Sequence, residues 1–185
     1  TIAIHNKKVI DPIEIFYNKD YNLIIIHAIT GYSGFEWKIV KLIKKLAKET
    51  QSKDIISLEG IGGAESEEKS EVYYYSNDQQ RIKALEKLGI KFLDEGIIIG
   101  ITGGLIMDSD TIPLSCLFAQ THSNLPDSKA AAKIIEVLDG LLGLEVDYKP
   151  LLERAIKFEE NLKKILSQSQ NAAEISEKKK LSYMG

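Results

Sequence analysis

The sequence predicts an α/β fold: a three-layer αβα sandwich on a mainly parallel sheet, with a C-terminal helix and a polar tail. Three observations carry that expectation. Residues 23–26, 55–58 and 97–101 are short, largely apolar runs, which read as strands buried on both faces, the habit of parallel sheets. Helical periodicities alternate with those runs, as they do when helices cover both faces of one sheet. Glycine clusters stand where the runs end, at 30–34, 60–63 and 102–104.

The elements follow in order. Residues 2–4 and 13–17 read as half-exposed strands. Residues 23–26 form a buried strand that runs into the turn at 30–34. A helix follows, with Ile39, Leu42, Ile43 and Leu46 on its inner face and lysines elsewhere. The strand at 55–58 ends at Glu59-Gly60-Ile61-Gly62-Gly63. Residues 72–75 read as an exposed or edge strand, because Tyr73, Tyr74 and Tyr75 cannot all face inward. A short helix over 80–88 stops at Gly89. Residues 97–101 are read as a third buried strand. Residues 112–119 are a fourth, with Pro113 near its start, where a missing N–H is tolerable. The turn at 123–127 caps a helix carrying Ala131, Ile134, Ile135, Leu138 and Leu142 on one face and stopping at Gly143.

The last helix begins at Pro150, a favoured first position. Leu151, Ala155, Phe158, Leu162 and Ile165 repeat along it as a heptad-like seam. Such a seam either covers its own sheet or meets a second subunit, which makes a homo-oligomer the expectation. After Leu166 the chain turns polar. The plan is therefore a single α/β domain over 1–166 and a solvated tail over 167–185. A flexible segment of the tail's polar length spans roughly 20 Å.

Composition narrows the function. The 185 residues are 44% hydrophobic and 28% charged, an ordinary globular balance. The net charge is −3, and the only arginines are Arg81 and Arg154, a poor inventory for phosphates or base edges. Nucleic acid is not an expected partner. No apolar run reaches the ~18 residues that cross a bilayer, and the first residues lack the pattern of a signal peptide. No membrane and a cytoplasmic location are expected. The single Cys116 excludes an intramolecular disulfide.

The candidate chemistry is sparse. Gly60, Gly62 and Gly63, and again Gly103 and Gly104, read as strand-exit turns or as loops that cradle a small ligand. Glu65 stands where a dinucleotide fingerprint needs its third glycine, and neither cluster carries the lysine of a phosphate loop. Asp108-Ser109-Asp110-Thr111 reads as a solvated loop. His5, His27 and His122 are scattered, with His27 read as a structural imidazole. Cys116 reads as a buried, inert thiol. These residues assign no acid, base and nucleophile, so no enzyme, cofactor or metal is expected.

Several ordered segments then resemble a known family. They are Gly100-Ile101-Thr102-Gly103-Gly104-Leu105, the run from Ile112 to Thr121, Leu125-Pro126-Asp127-Ser128-Lys129-Ala130-Ala131, and Leu141-Leu142-Gly143-Leu144-Glu145-Val146-Asp147. Leu152-Glu153-Arg154-Ala155 and Phe158-Glu159 continue the series. Together they resemble the archaeal proteasome assembly chaperone family, related to the second subunit of the eukaryotic assembly-chaperone pair. The resemblance implies a nucleoside-phosphorylase-like fold without that active site, self-association, and binding to proteasome α subunits or their ring. It also implies a C-terminal tail that docks through an aromatic anchor and a carboxylate. Here that role falls to Leu181, Tyr183, Met184 and Gly185, with Tyr183 one place off the family's register. The alternative is a nucleotide-using or phosphorylase-like enzyme, or a ligand-binding module, that uses the glycine turns.

Overall fold

The computed structural model describes residues 3–5, 7–28, 33–62, 71–109, 112–121, 127–150, 152–153, 155–157 and 160–161. They form a mixed α/β fold. Two hairpins come first. Strands β1 (Ala3–His5) and β2 (Lys8–Ile10) pair antiparallel, as do β3 (Ile13–Asn18) and β4 (Leu23–Ala28). The β3–β4 turn is built by asparagines. Asn18 Oδ1 accepts from the N–H groups of Asp20 and Tyr21 at 2.9 and 3.0 Å, and Asn22 holds φ +48, which asparagine tolerates better than most residues.

Helix α1 (Glu36–Glu49) precedes β5 (Ile55–Gly62) and β6 (Val72–Ser76). Helix α2 (Gln79–Lys87), the two-residue β7 (Lys91–Phe92), α3 (Gly100–Met107), β8 (Leu114–Thr121) and α4 (Ser128–Leu142) complete the order. Strands β5, β8, β6 and β7 lie side by side in that order in one sheet. The Ile55 N–H donates to the Pro113 carbonyl, and Thr121 Oγ1 donates to the Ile61 carbonyl, so β5 and β8 run parallel. The Gln120 N–H donates to the Glu71 carbonyl and the Asn77 N–H to the Leu114 carbonyl. Numbers rise on one strand as they fall on the other, so β6 joins β8 antiparallel. The chain divides into two compact units, Thr1–Leu58 with Tyr74–Leu117 and Glu59–Tyr73 with Phe118–Gly185.

Both α2 and α4 begin and end as their sequences dictate. Asp78 caps α2 by accepting from the Arg81 N–H at 2.8 Å, and Gly89 follows its last residue at φ +76. Asp127 caps α4 by accepting from the N–H groups of Lys129 and Ala130, and Gly143 closes it at φ +64. The inner face of α4 is Ala130, Ile134 and Val137, one position round from the face read off the sequence, and Ala131 is exposed. On α1 the buried residues are Val40 and Ala47, while Leu42 lies in solvent.

Four strand assignments change. Residues 97–101 are not a strand: 97–99 are extended coil, and α3 starts at Gly100. A short apolar run carries no period, so burial alone could not separate strand from helix there. Strand β5 runs on through Gly60 and Gly62 instead of ending before them. Strand β6 is an inner strand, with Val72, Tyr74 and Ser76 buried in alternation. Strand β4 is not buried on both faces. It carries exposed Ile25 and Ile26, because a hairpin partner covers only one of its edges.

Gly104 sets how closely α1 and α3 approach, and Gly103 lets the chain before α3 fold back on it. A Cβ on Gly104 would lie 2.9 Å from Val40 Cγ2, and one on Gly103 would lie 2.7 Å from the Ile98 carbonyl oxygen. Lys44 on α1 then reaches Asp108 just beyond α3, with its Nζ 2.8 Å from Oδ1. Replacing a helical glycine by alanine normally gains about 1 kcal/mol of helix propensity. Overpacking a filled site costs about 1–3 kcal/mol. Val40 is wholly buried and has nowhere to retreat, so the second effect wins. Gly104→Ala lowers the urea midpoint, and a midpoint at or above the parent's refutes the close-packing account.

Tyr74 is sealed in the same unit and meets Phe92 edge to face at 5.4 Å between ring centroids. Burial pushes its phenol above the ordinary value, and Glu86 adds to the shift. The unfolded chain ionises this group near pH 10 while the folded chain keeps its proton. The raised folded value therefore stabilises fully below about pH 10 and is lost as pH rises through it. Stability of the parent falls between pH 9 and 11 more steeply than that of Tyr74→Phe, and parallel urea-denaturation curves would contradict this.

Candidate functional site

The N-terminal turn of α1 and the face of α3 enclose an open cleft of about 260 Å³. Glu36 and Trp37 line one side, and Ile98, Ile99, Gly103, Gly104 and Met107 line the other. The missing side chains of Gly103 and Gly104 leave the floor smooth. The walls are unusually apolar for solvent-facing groups: Met107 is 76% exposed, Ile99 73% and Trp37 57%, and Ile97 next along the chain is 93% exposed. Phe35 adds a further exposed ring at the start of α1. Such a surface suits capture of apolar side chains, with Trp37 as an aromatic anchor. Its one carboxylate belongs to Glu36 in the first turn of α1, where the helix dipole favours negative charge.

A second apolar surface lies on the β3–β4 hairpin. Its register places Ile15 opposite Ile26 and Tyr17 opposite Ile24 on one face, and Phe16 opposite Ile25 on the other. Both faces therefore carry exposed aliphatic and aromatic side chains.

The residues singled out from the sequence fall in scattered places. Gly103 and Gly104 lie inside α3, so they form no strand-exit loop, while Gly60 lies inside β5 and Gly62 is its last residue. Gly63 lies outside the described residues. Asp108 forms the ion pair with Lys44, and its carbonyl accepts from the same Nζ at 2.5 Å. Asp110 and Thr111 lie outside the described residues. His27 is exposed on β4 opposite Glu14 and is not the structural imidazole the sequence suggested. Its strand is uncovered, so the ring remains in water. Cys116 is fully buried in β8, where no substrate reaches it.

Of the seam residues, Ala155 is half-buried in a helical stretch, while Leu151, Phe158, Leu162 and Ile165 lie outside the described residues. So do Leu181, Tyr183, Met184 and Gly185. Among the described residues no helix is long and apolar enough to cross a membrane. The exposed cleft wall was missed from sequence. Its signal is the run Ile97-Ile98-Ile99 beside Met107, which was assigned to the core.

Comparison with known proteins converges on one group. The family model described as "PAC2 family" matches residues 1–166. The chain is similar to two uncharacterized proteins of Methanocaldococcus jannaschii. One is 27% identical over 160 residues, covering 85% of this chain and 65% of the relative. The other is 29% identical over 133 residues, covering 70% and 52%. The chain thus spans only about half to two thirds of the length of these curated relatives. Among solved structures it is similar to Pyrococcus furiosus PbaA, described as an archaeal homolog of proteasome-assembly chaperone. That match has a TM-score of 0.77 and 30% identity, covering 97% of this chain and 76% of that one. Pyrococcus furiosus PbaB, described as an archaeal proteasome activator, shares the fold at TM-score 0.71 and 21% identity, covering 89% and 76%.

If the cleft wall is a surface and not a piece of core, it tolerates charge. Ile99→Lys and Met107→Lys each shift stability by less than about 0.5 kcal/mol, the usual range for surface changes. Leu105→Lys, at a residue 4% exposed on the same helix, unfolds the protein. Urea titration of the three variants reads the contrast, and a large loss in the first two assigns the wall to the core.

Proposed function

The chain belongs to the PAC2 family, and from that premise we propose that it is a proteasome-assembly chaperone that works by protein contact alone. The observation that carries the reading is the match to the archaeal chaperone homolog, which extends over 97% of this chain. In this reading the client is a proteasome α subunit or the α ring, and the chain works as a homo-oligomer in the cytoplasm. The apolar cleft between α1 and α3 supports it. A wall of exposed isoleucine, methionine and tryptophan is suited to holding another protein's side chains, and it brings no acid–base pair to bear on a substrate.

The segment Leu181-Ser182-Tyr183-Met184 supplies the second contact in this proposal. A tyrosine anchor buried in a partner's pocket contributes about 2 kcal/mol, roughly thirtyfold in affinity. The seam Leu151, Ala155, Phe158, Leu162 and Ile165 supplies the contact between copies.

The experiment is capture of purified α subunits by the tagged chain, with light scattering of the same preparation to read its mass. Binding is expected, weakened roughly thirtyfold by Tyr183→Ala with no change in melting temperature. A Tyr183→Ala variant that binds as well as the parent removes the tail contact. Absence of α-subunit capture by the parent rejects the function, and a monomer mass rejects the oligomer.

A further inference from the structure

Helix α1 concentrates positive charge. It holds Lys38, Lys41, Lys44, Lys45 and Lys48, while its only acids, Glu36 and Glu49, stand at its two ends. The chain as a whole carries −3, so overall composition does not explain the cluster. At about 100° per residue, Lys38, Lys41, Lys45 and Lys48 fall within an arc of about 80°. All four are exposed. Lys44 lies further round, toward α3, where Asp108 engages it. Lys45 reaches Glu49 at 3.8 Å on the exposed surface. Among the described residues, Lys38, Lys41 and Lys48 have no carboxylate at ion-pair distance.

This row works against its own helix. Lysines three or four residues apart are neighbours on a helix and repel one another, as Lys38 with Lys41, Lys41 with Lys45, and Lys45 with Lys48. Lys38 also stands in the first turn, where the helix dipole disfavours a cation. Negative charge brought to the row relieves both costs. The row also adjoins the apolar cleft. Trp37 lies one turn before Lys41 on the same ridge of α1, and it lines the cleft together with Ile99 and Met107. From that end the lysines extend for about 15 Å along the helix, a length that about five residues of extended chain cover.

We propose that this surface docks an acidic segment of a partner protein, with an apolar side chain of the segment in the cleft against Trp37 and its carboxylates along the lysine row. The inference rests on the reading of the cleft as a protein-contact surface and adds the chemistry of what the surface takes. Charge complementarity selects the acidic segment. A lipid bilayer is a poorer occupant. The apolar face of α1, with Val40 and Ala47, is buried in the protein, so the helix offers acyl chains little besides Trp37 and Leu42. Nucleic acid is poorer as well, because α1 has no arginine to grip phosphates with a planar fork.

Trp37 is the chain's single tryptophan, so its fluorescence reads the cleft directly. The probe is a capped synthetic peptide with a central leucine between runs of glutamate, titrated into the full chain. A saturable blue shift of Trp37 emission is expected, with protection from acrylamide quenching and weaker binding as salt rises. The same peptide with glutamine in place of glutamate leaves the emission unchanged. Lys41→Glu combined with Lys45→Glu weakens binding about tenfold or more, while the melting temperature holds or rises because the repulsion is gone. No shift with the glutamate peptide overturns the proposal, as does a shift that salt and the double variant leave intact. A stronger response to phosphatidylglycerol vesicles or to oligothymidine than to the peptide also overturns it, and assigns the row to a membrane or to nucleic acid. Capture of α subunits is a separate reading: if it persists while the peptide fails, the chaperone function stands and the acidic partner falls.

Discussion

Strand β8 is buried from Leu114 through Gln120, so each polar group it carries must find a partner inside the protein. That demand organises its neighbours. Ser115 meets the Ser76 hydroxyl at 3.0 Å, and Ser76 also donates to the Leu114 carbonyl at 3.0 Å. The Asn77 side chain accepts from the Leu114 N–H at 2.8 Å. Thr121, where burial ends, bonds to the backbone of β5. Parallel β5 on one side and antiparallel β6 on the other are the consequence of satisfying both edges of a strand that has no access to water. Among the described residues of β8, the Gln120 side-chain oxygen is the exception.

Two ion pairs tie further elements together. Asp54 is engaged by Arg81, whose Nε lies 2.6 Å from Oδ2, and Asp108 is engaged by Lys44. These carboxylates clasp elements together. The exposed large apolar side chains gather in the wall made by Ile99, Met107 and Trp37 and on the two faces of the β3–β4 hairpin.

How much of this was legible in the sequence depends on local rules. Helix α4 was, because Asp127 and Gly143 are capping residues whose chemistry acts within a turn of chain. So was α2, through Gly89. Strand β8 was legible as a continuous apolar run. Helix α3 was not. Its run of isoleucines carries no period, and Gly104 serves a contact with Val40, some sixty positions earlier, that no local pattern records. The inner face of α1 was misjudged for the same reason, since α3 selects Val40 and Ala47 over Leu42.

The β3–β4 hairpin has a thermodynamic consequence. A two-stranded ribbon is marginal by itself in water, and this one buries neither face fully. Its amide protons belong at the fast-exchanging end of the molecule's range, while those of β8 belong at the slow end. Any partner that covers Phe16, Ile25 and their neighbours gains apolar burial but must also supply the ordering entropy of residues 13–28. The ribbon thus lowers the affinity of whatever binds it, while letting that partner's arrival be read as a gain of local protection.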